Sequence, residues 1–288
     1  MAVDAVGNIS GTAFWVARFR ALESRHAQPL FEDPWADPLA GERGAQIVRQ
    51  LGHAYRVGWS VVVRTAILDR LILAAVAEGF DTVINLAAGL DARPFRLHLP
   101  AELHWVDIDQ PEIIDYQRGI LKDAQARCDV RWLAVDLSDA SARRAVLGDV
   151  AAEARKALVI TEGLLVYLDR AAVTALAQDL HRNASLHTWL FDLPSAEGLV
   201  QAQRSWNRQL AIVNAPLVFG PAEGTDFFAP CGWREAEWIS YLAEGTRLRR
   251  VPPPFGFLYR VSRYLPPRQR ARIDRLVGIA RLERANIA

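Results

Sequence analysis

The chain has 288 residues, 51% of them apolar and 23% charged, which is enough to bury a large core and excludes a disordered chain; a single domain spanning 1–288 is expected. Its formal net charge of +1 comes from basic and acidic residues spread along the whole length, so no electrostatic footprint for nucleic acid or anionic lipid is expected. Two distant cysteines, Cys128 and Cys231, exclude a disulfide framework, argue against a zinc site or any other metal centre, and fit a reducing cytoplasm.

Residues 1–58 hold helical stretches rich in Trp, Phe and Arg, broken by Pro29, Pro34 and Pro38, and read as an N-terminal helical cap. No apolar run follows a basic start, so no signal peptide is expected. The most apolar helical stretch, Ser60 to Glu78, contains Arg64, Asp69 and Arg70, which lipid would penalise, so no membrane span is expected. From about residue 80, short β-branched runs alternate with helical segments, the pattern of a mostly parallel sheet with helices on both faces. Strands are expected at 82–87, 104–109, 130–135, 158–161, 186–193, 247–251 and near 277–282. Between them Pro111 can open a helix, Ser138 can cap one running to Ala154, and Asp169 can cap one running through Leu180. The segment 195–245, punctuated by Gly198, Pro216, Gly220, Pro221 and Gly224 and rich in aromatics, reads as a lid or pocket wall.

The strongest chemical signal follows the first strand: Asn85-Leu86-Ala87-Ala88-Gly89-Leu90-Asp91-Ala92-Arg93-Pro94-Phe95. In a doubly wound sheet a ligand lies beyond the carboxyl ends of the strands, and Gly89 is where backbone can approach it closely, at φ > 0. A tight turn with no ligand is the competing reading. About twenty residues on, Trp105-Val106-Asp107-Ile108-Asp109-Gln110-Pro111 ends the second strand in acids. Asp109, at the strand tip, can accept both hydroxyls of an adenosine ribose. Asp107 lies one pleat deeper, and either acid can instead cap the helix at Pro111. A pyrophosphate would want a glycine-rich helix start, whereas Leu90 and Asp91 follow Gly89 here. A phosphate-free adenosyl cation fits better.

Together with Arg64-Thr65 and Asp69, with Leu30 to Ala36, with Thr161-Glu162-Gly163-Leu164-Leu165-Val166-Tyr167-Leu168, and with Gly232-Trp233-Arg234, these segments make the chain resemble the leucine carboxyl methyltransferase family, particularly its bacterial polyketide-type O-methyltransferases. The resemblance implies a Rossmann-like class I methyltransferase fold with a seven-stranded sheet, S-adenosylmethionine as cofactor, and methyl transfer to a carboxylate or hydroxyl of a small molecule, such as a polyketide-like secondary metabolite. It places Arg64 on the carboxylate of the methionine moiety, Gly89 at the cofactor turn, Asp109 on the ribose, Asp136 and Leu137 around the adenine, and Glu162 beneath the methionine part, its carboxylate suited to the ammonium. Plain alternatives are a solvated helix charge for Arg64 and a helix cap for Asp136. Tyr167 is the candidate catalytic residue, orienting the acceptor rather than acting as a base, with packing as the alternative.

Transfer from a sulfonium needs no nucleophilic side chain, and a carboxylate acceptor, already ionised at neutral pH, needs no base. Of six histidines, which form no motif, His26 in the cap is the candidate base for a hydroxyl acceptor. Phe14, Trp15, Phe31, Trp35, Trp206, Phe219, Phe227, Phe228 and Trp233 can wall the acceptor pocket, although more than half are expected to be ordinary core. No charged groove for a protein tail is apparent, so the partner is a small molecule. Two other classes compete: a nicotinamide-dependent oxidoreductase on the same fold, and a non-catalytic S-adenosylmethionine-binding protein.

Overall fold

The computed structural model describes residues 9–50, 55–213 and 216–285, with side chains over 11–49, 58–204 and 216–285. In chain order the elements are helices α1 (Ile9–Ser24), α2 (Ala36–Gln50) and α3 (Tyr55–Ala77), then β1 (Thr82–Leu86), α4 (Arg93–Arg96), β2 (His104–Asp109), α5 (Pro111–Leu121), β3 (Asp129–Ala134), α6 (Ala140–Glu153), β4 (Ala157–Thr161), α7 (Arg170–His181), β5 (Leu186–Pro194), α8 (Ala196–Val213), β6 (Trp233–Ser240), α9 (Tyr241–Arg247), α10 (Pro253–Val261), α11 (Pro267–Asp274) and β7 (Val277–Arg284). The last turn before β6 is a 3-10 stretch, Gly224–Cys231.

The seven strands form one sheet in the order β3-β2-β1-β4-β5-β7-β6. β1 to β5 run parallel, and β7 is antiparallel to both β5 and β6. β1 and β4 are buried at every position, as central parallel strands covered on both faces must be. The chain leaves β1 toward β2 and β3, then returns to β4 on the other side of β1. The crevice beyond the β1 and β4 tips is therefore a topological switch point, where ligands bind in this class of sheet. One face packs on α6 and α7, through Val146, Leu147, Val173 and Leu176, and the other on α3 through Ile67, Leu68, Leu71 and Ile72.

Several local expectations need correction. No strand forms at 247–251: Arg247 ends α9, and Arg249 sits at φ 57, outside extended geometry. The sheet's edge is β6, inside the segment expected to be only a lid. Ser240 terminates it by accepting from Ala243 N, which starts α9. The α6 cap is Asp139, whose carboxylate accepts from Ser141 N and Ala142 N, one residue later than Ser138. Asp169 caps α7 and Pro111 opens α5 as expected. In the cap, α1 and α2 precede α3, which starts before residue 58 and runs on under the sheet. Residues 1–8 and His53 lie outside the described residues. Among those described, no helix is long and apolar enough to cross a membrane.

Candidate active site

Beyond the carboxyl ends of β1, β2, β4 and β5 lies a cavity of about 790 Å³, within the size range of small-molecule sites. Its floor is the turn after β1. Ala87, at φ 52, and Gly89, at φ 58, both take left-handed backbone there. For Ala87 this is a real strain, of the kind held only where surrounding structure enforces it. The enforcement is visible: Gly89 N donates to Asp109 Oδ2 at 2.7 Å, and Ala88 N to Ile108 O at 3.3 Å, so the turn folds onto the tip of β2. Helix α1 clasps it from the other side, with Arg20 donating to Leu90 O and a Cβ at Gly89 falling 3.3 Å from that of Ala13.

Arg64, Gly89, Asp109, Asp136, Leu137, Glu162 and Tyr167 all line this one cavity. Arg64 is no solvated charge. Its side chain is 13% exposed, with Nε 2.7 Å from Glu162 Oε1 and Nη1 3.2 Å from Asp192 Oδ2. Asp109 spends its second oxygen on Gln110 N at 2.7 Å. Asp136 is exposed and accepts from Ser138 N at 2.9 Å, a turn contact and not the α6 cap. The carbonyl of Leu137 accepts from Arg143, which fixes the strand-end backbone beside it. Tyr167 is bonded to Thr12, and burial pushes its hydroxyl up to about 12, so it is not a base at neutral pH.

Behind the lining lies a buried ionic network that sequence reading missed. Arg93 holds Asp69 at 2.7 Å, Asp91 at 2.6 Å and Glu162 at 2.8 Å. Arg96 pairs with Asp69 and Arg20 with Asp33, while Asp192 also accepts from Gly163 N at 2.6 Å. Arg20, Arg64, Arg93 and Arg96 thus face Asp33, Asp69, Asp91, Glu162 and Asp192, one acid in excess, a surplus that suits a cationic ligand. Burial alone would raise the Glu162 carboxyl, but the Arg93 and Arg64 guanidiniums outweigh it and hold it down at about 2. The one available signal for Asp192 was an acid alone in the apolar run Trp189 to Leu193, which must find a partner.

Asp107 does not line the cavity. It is fully buried and accepts from Asn85, Trp105 and Gln117. Burial, then the neighbouring Asp91 charge, push it up to about 7. The folded state therefore keeps a proton that the unfolded state gives up near pH 4, so this group makes stability fall as pH rises from about 4 to about 7. Asp107→Asn, neutral throughout, is expected to be less stable than wild type near pH 5 and to narrow that gap by about pH 8. Urea midpoints at the two pH values check this, and a gap independent of pH would refute it.

Of the eight aromatics considered for the acceptor wall whose side chains are described, only Trp15 lines the cavity. Phe219, Phe228 and Trp233 are buried in the core with Trp189 and Phe191, and Phe227 packs against them. Phe14 belongs to the cluster around Phe95, against which Trp35 packs, and Phe31 lies under Arg96. The side chain of Trp206 lies outside the described residues. The apolar wall is built instead by Trp15, Val16, Trp59, Val166, Leu217 and Phe255. His26 is exposed and bonded to the Gln28 main chain, away from the cavity. Among the described residues no set of His, Cys, Asp and Glu is arranged to hold a metal ion.

The turn suits a phosphate-free ligand. A pyrophosphate needs free amides at the following helix start, but Arg93 N at the start of α4 already donates to Asp91 Oδ1 at 2.9 Å. Small residues at the turn, acids at the strand tips and the anionic surplus fit an adenosyl sulfonium.

Comparison with known proteins points the same way. Residues 13–181 match the family model described as leucine carboxyl methyltransferase. The chain is 32% identical over 257 residues to a Mycolicibacterium smegmatis protein, covering 80% of this chain and 85% of that one. It is 35% identical over 192 residues to one from Frankia alni, covering 61% of this chain and 66% of that one. Both carry the name "Putative S-adenosyl-L-methionine-dependent methyltransferase". Among solved structures, a Streptomyces avermitilis duf574 family protein has TM-score 0.57 at 12% identity, covering 93% of this chain and 96% of that one. A Thermobifida fusca protein titled "putative methyltransferase" has TM-score 0.54 at 14% identity, covering 93% and 94%. At these identities the structural likeness concerns the fold.

Proposed function

The chain belongs to the leucine carboxyl methyltransferase family and is an S-adenosylmethionine-dependent methyltransferase, and we propose that it methylates an oxygen of a small apolar molecule, a carboxylate in preference to a hydroxyl. The observation that carries this reading is the chemistry of the cavity lining. Among the described residues it contains no histidine, cysteine or lysine. Burial lifts its tyrosines, Tyr167 and Tyr241, above their ordinary range. Glu162, Asp192, Asp91 and Asp109 are each engaged by guanidinium or amide donors. No residue in this lining is a free base poised near neutrality, so an acceptor that arrives already ionised suits it best.

S-adenosylmethionine supplies, when bound, a methyl carbon made electrophilic by a cationic sulfur. Asp109 would take its ribose hydroxyls, Asp136 and Leu137 its adenine, Arg64 its carboxylate, and Glu162 with Asp192 its ammonium. The lone pairs left on these carboxylates after their internal bonds are what makes that set available. Tyr167 and the apolar wall orient the acceptor and exclude water, so catalysis is positioning and desolvation. A polyketide-like acid fits such walls.

The test is to incubate the protein with a cell extract and methyl-labelled cofactor, then treat the products with alkali. A methyl ester releases labelled methanol and an ether keeps its label, so alkali-stable products would refute the carboxylate preference. Tyr167→Phe is expected to raise KM for the acceptor about threefold to tenfold with kcat within about threefold. Loss of kcat with KM unchanged would mean that the hydroxyl acts on the reacting atoms.

A further inference from the structure

The segment from Pro252 to Leu276 stands apart from the rest of the surface. Nine large apolar side chains stand exposed among the described residues, and Phe255, Phe257, Leu258, Val261, Tyr264 and Leu265 account for most of them within one short stretch of α10 and the turn after it. Phe257 is 67% exposed and Tyr264 73%. Contiguous apolar exposure of this kind marks an interaction surface. It is not slack chain. Tyr259 donates to Asp274 Oδ1 at 2.6 Å, Trp238 Nε1 to Asp274 O at 2.9 Å, and Gly256 packs on Val251. The segment is anchored from its inner side and turns its greasy side outward.

The same stretch is strongly basic. Asp274 is its one acid, against arginines at 260, 263, 268, 270, 272 and 275. Arg272 and Arg275 pair with Glu197 and Glu235. Arg260 and Arg268 are exposed and make no ion pair among the described residues, and Arg263 lies over the Tyr264 ring at 4.7 Å. The near-zero charge of the whole chain conceals this local asymmetry. Exposed Phe, Leu and Tyr beside unpaired arginines are the composition of an element that lies in a lipid interface, with its apolar side in the acyl boundary and its cations among anionic headgroups. A second copy of the chain is a poor occupant, because a two-fold contact sets each patch against itself and brings the same arginines together.

We propose that the 252–276 face is a docking surface for an anionic lipid bilayer. Its position gives the docking a use. Phe255 is 53% exposed and also lines the acceptor cavity, so the patch is continuous with the cavity mouth. If the carboxylate reading is correct, a lipophilic acid held in the leaflet reaches the site there without crossing water. The docking itself does not depend on that reading.

Vesicle flotation of the full-length chain tests it without reference to activity. Vesicles of phosphatidylcholine with phosphatidylglycerol are expected to carry at least about tenfold more protein than phosphatidylcholine alone, with the difference shrinking as salt rises. Phe257→Ser with Leu258→Ser, and separately Arg260→Glu with Arg268→Glu, are each expected to lower that partitioning about tenfold with unchanged thermal midpoints, since these side chains are exposed. No binding to either vesicle, equal binding to both, or binding untouched by both double variants would overturn the proposal. So would a concentration-dependent dimer that the apolar variant dissociates, which would assign the face to a second copy.

Discussion

Arg93→Ala is expected to destabilise the protein by about 3–5 kcal/mol, the range for breaking a buried ion pair from one side. The arginine's side chain is 3% exposed, and its removal strands Asp69, Asp91 and Glu162 together in a place that water does not reach freely. Of these, Asp69 keeps Arg96 and Glu162 keeps Arg64, while Asp91 keeps only neutral donors such as Asn85. The midpoint in differential scanning calorimetry should fall on the order of 5–10 °C. Arg93→Lys should recover little of this, since one ammonium cannot reproduce a planar fork that reaches three carboxylates. The acid side of the stability profile should change as well. Glu162 is held at about 2 in the folded state, so its contribution is present above the ordinary carboxylate range near pH 4 and is lost as pH falls toward 2. Without Arg93 the folded-state carboxyl moves back toward its ordinary range, so this contribution is smaller and its loss is complete at higher pH. A midpoint within about 2 °C of wild type would show that the network relaxes and that the strap of ion pairs under the cavity is not structural.

That network also shows where reading the chain stops. β1, β2, β4 and β5 were legible because central parallel strands are written as short runs rich in buried β-branched and aromatic residues, and the glycine turn and acid tips followed from where such strands end. β6 was not, because an edge strand needs only one good face. Its Arg234 and Glu235 answer Glu283 and Arg275 across the edge, and the register shifts between Glu235 and Glu237, which spoils the alternation. Arg247 to Val251 looks more like a strand than β6 does, yet Ser240 caps a helix that runs into it. The site's acids divide in the same way. Asp109 is announced by its strand, whereas Arg64 and Asp192 lie 128 positions apart and meet only because α3 crosses the β5 tip. Aromatic composition marked the 195–245 segment as special without saying that most of its rings turn into the core beside Trp189.

Asp109→Ala is expected to weaken S-adenosylmethionine binding by at least about tenfold, or ~1.4 kcal/mol, read by titration calorimetry. The substitution does two things. It removes the acid we assign to the ribose, and it frees Gln110 N and also Gly89 N, the amide that locks the turn after β1 against the tip of β2. Asp109→Asn separates them: its single carboxamide oxygen can still receive Gly89 N, so the turn keeps its shape while the second acceptor becomes a donor. The expected order of affinity is wild type, then Asn, then Ala, with thermal midpoints of Asn and wild type close together because the residue sits at a strand tip. Burial outweighs the two amides and raises the Asp109 carboxyl above its ordinary value, so the affinity of wild type should also decline as falling pH protonates the carboxylate, and that decline should be absent in Asn. Equal affinity in all three proteins would sink the ribose assignment. Asp107 could not replace it, since its carboxylate is buried behind the turn and already accepts from three side chains, which leaves Asp136, an exposed acid that lines the cavity and bonds Ser138 in its own turn, as the next candidate.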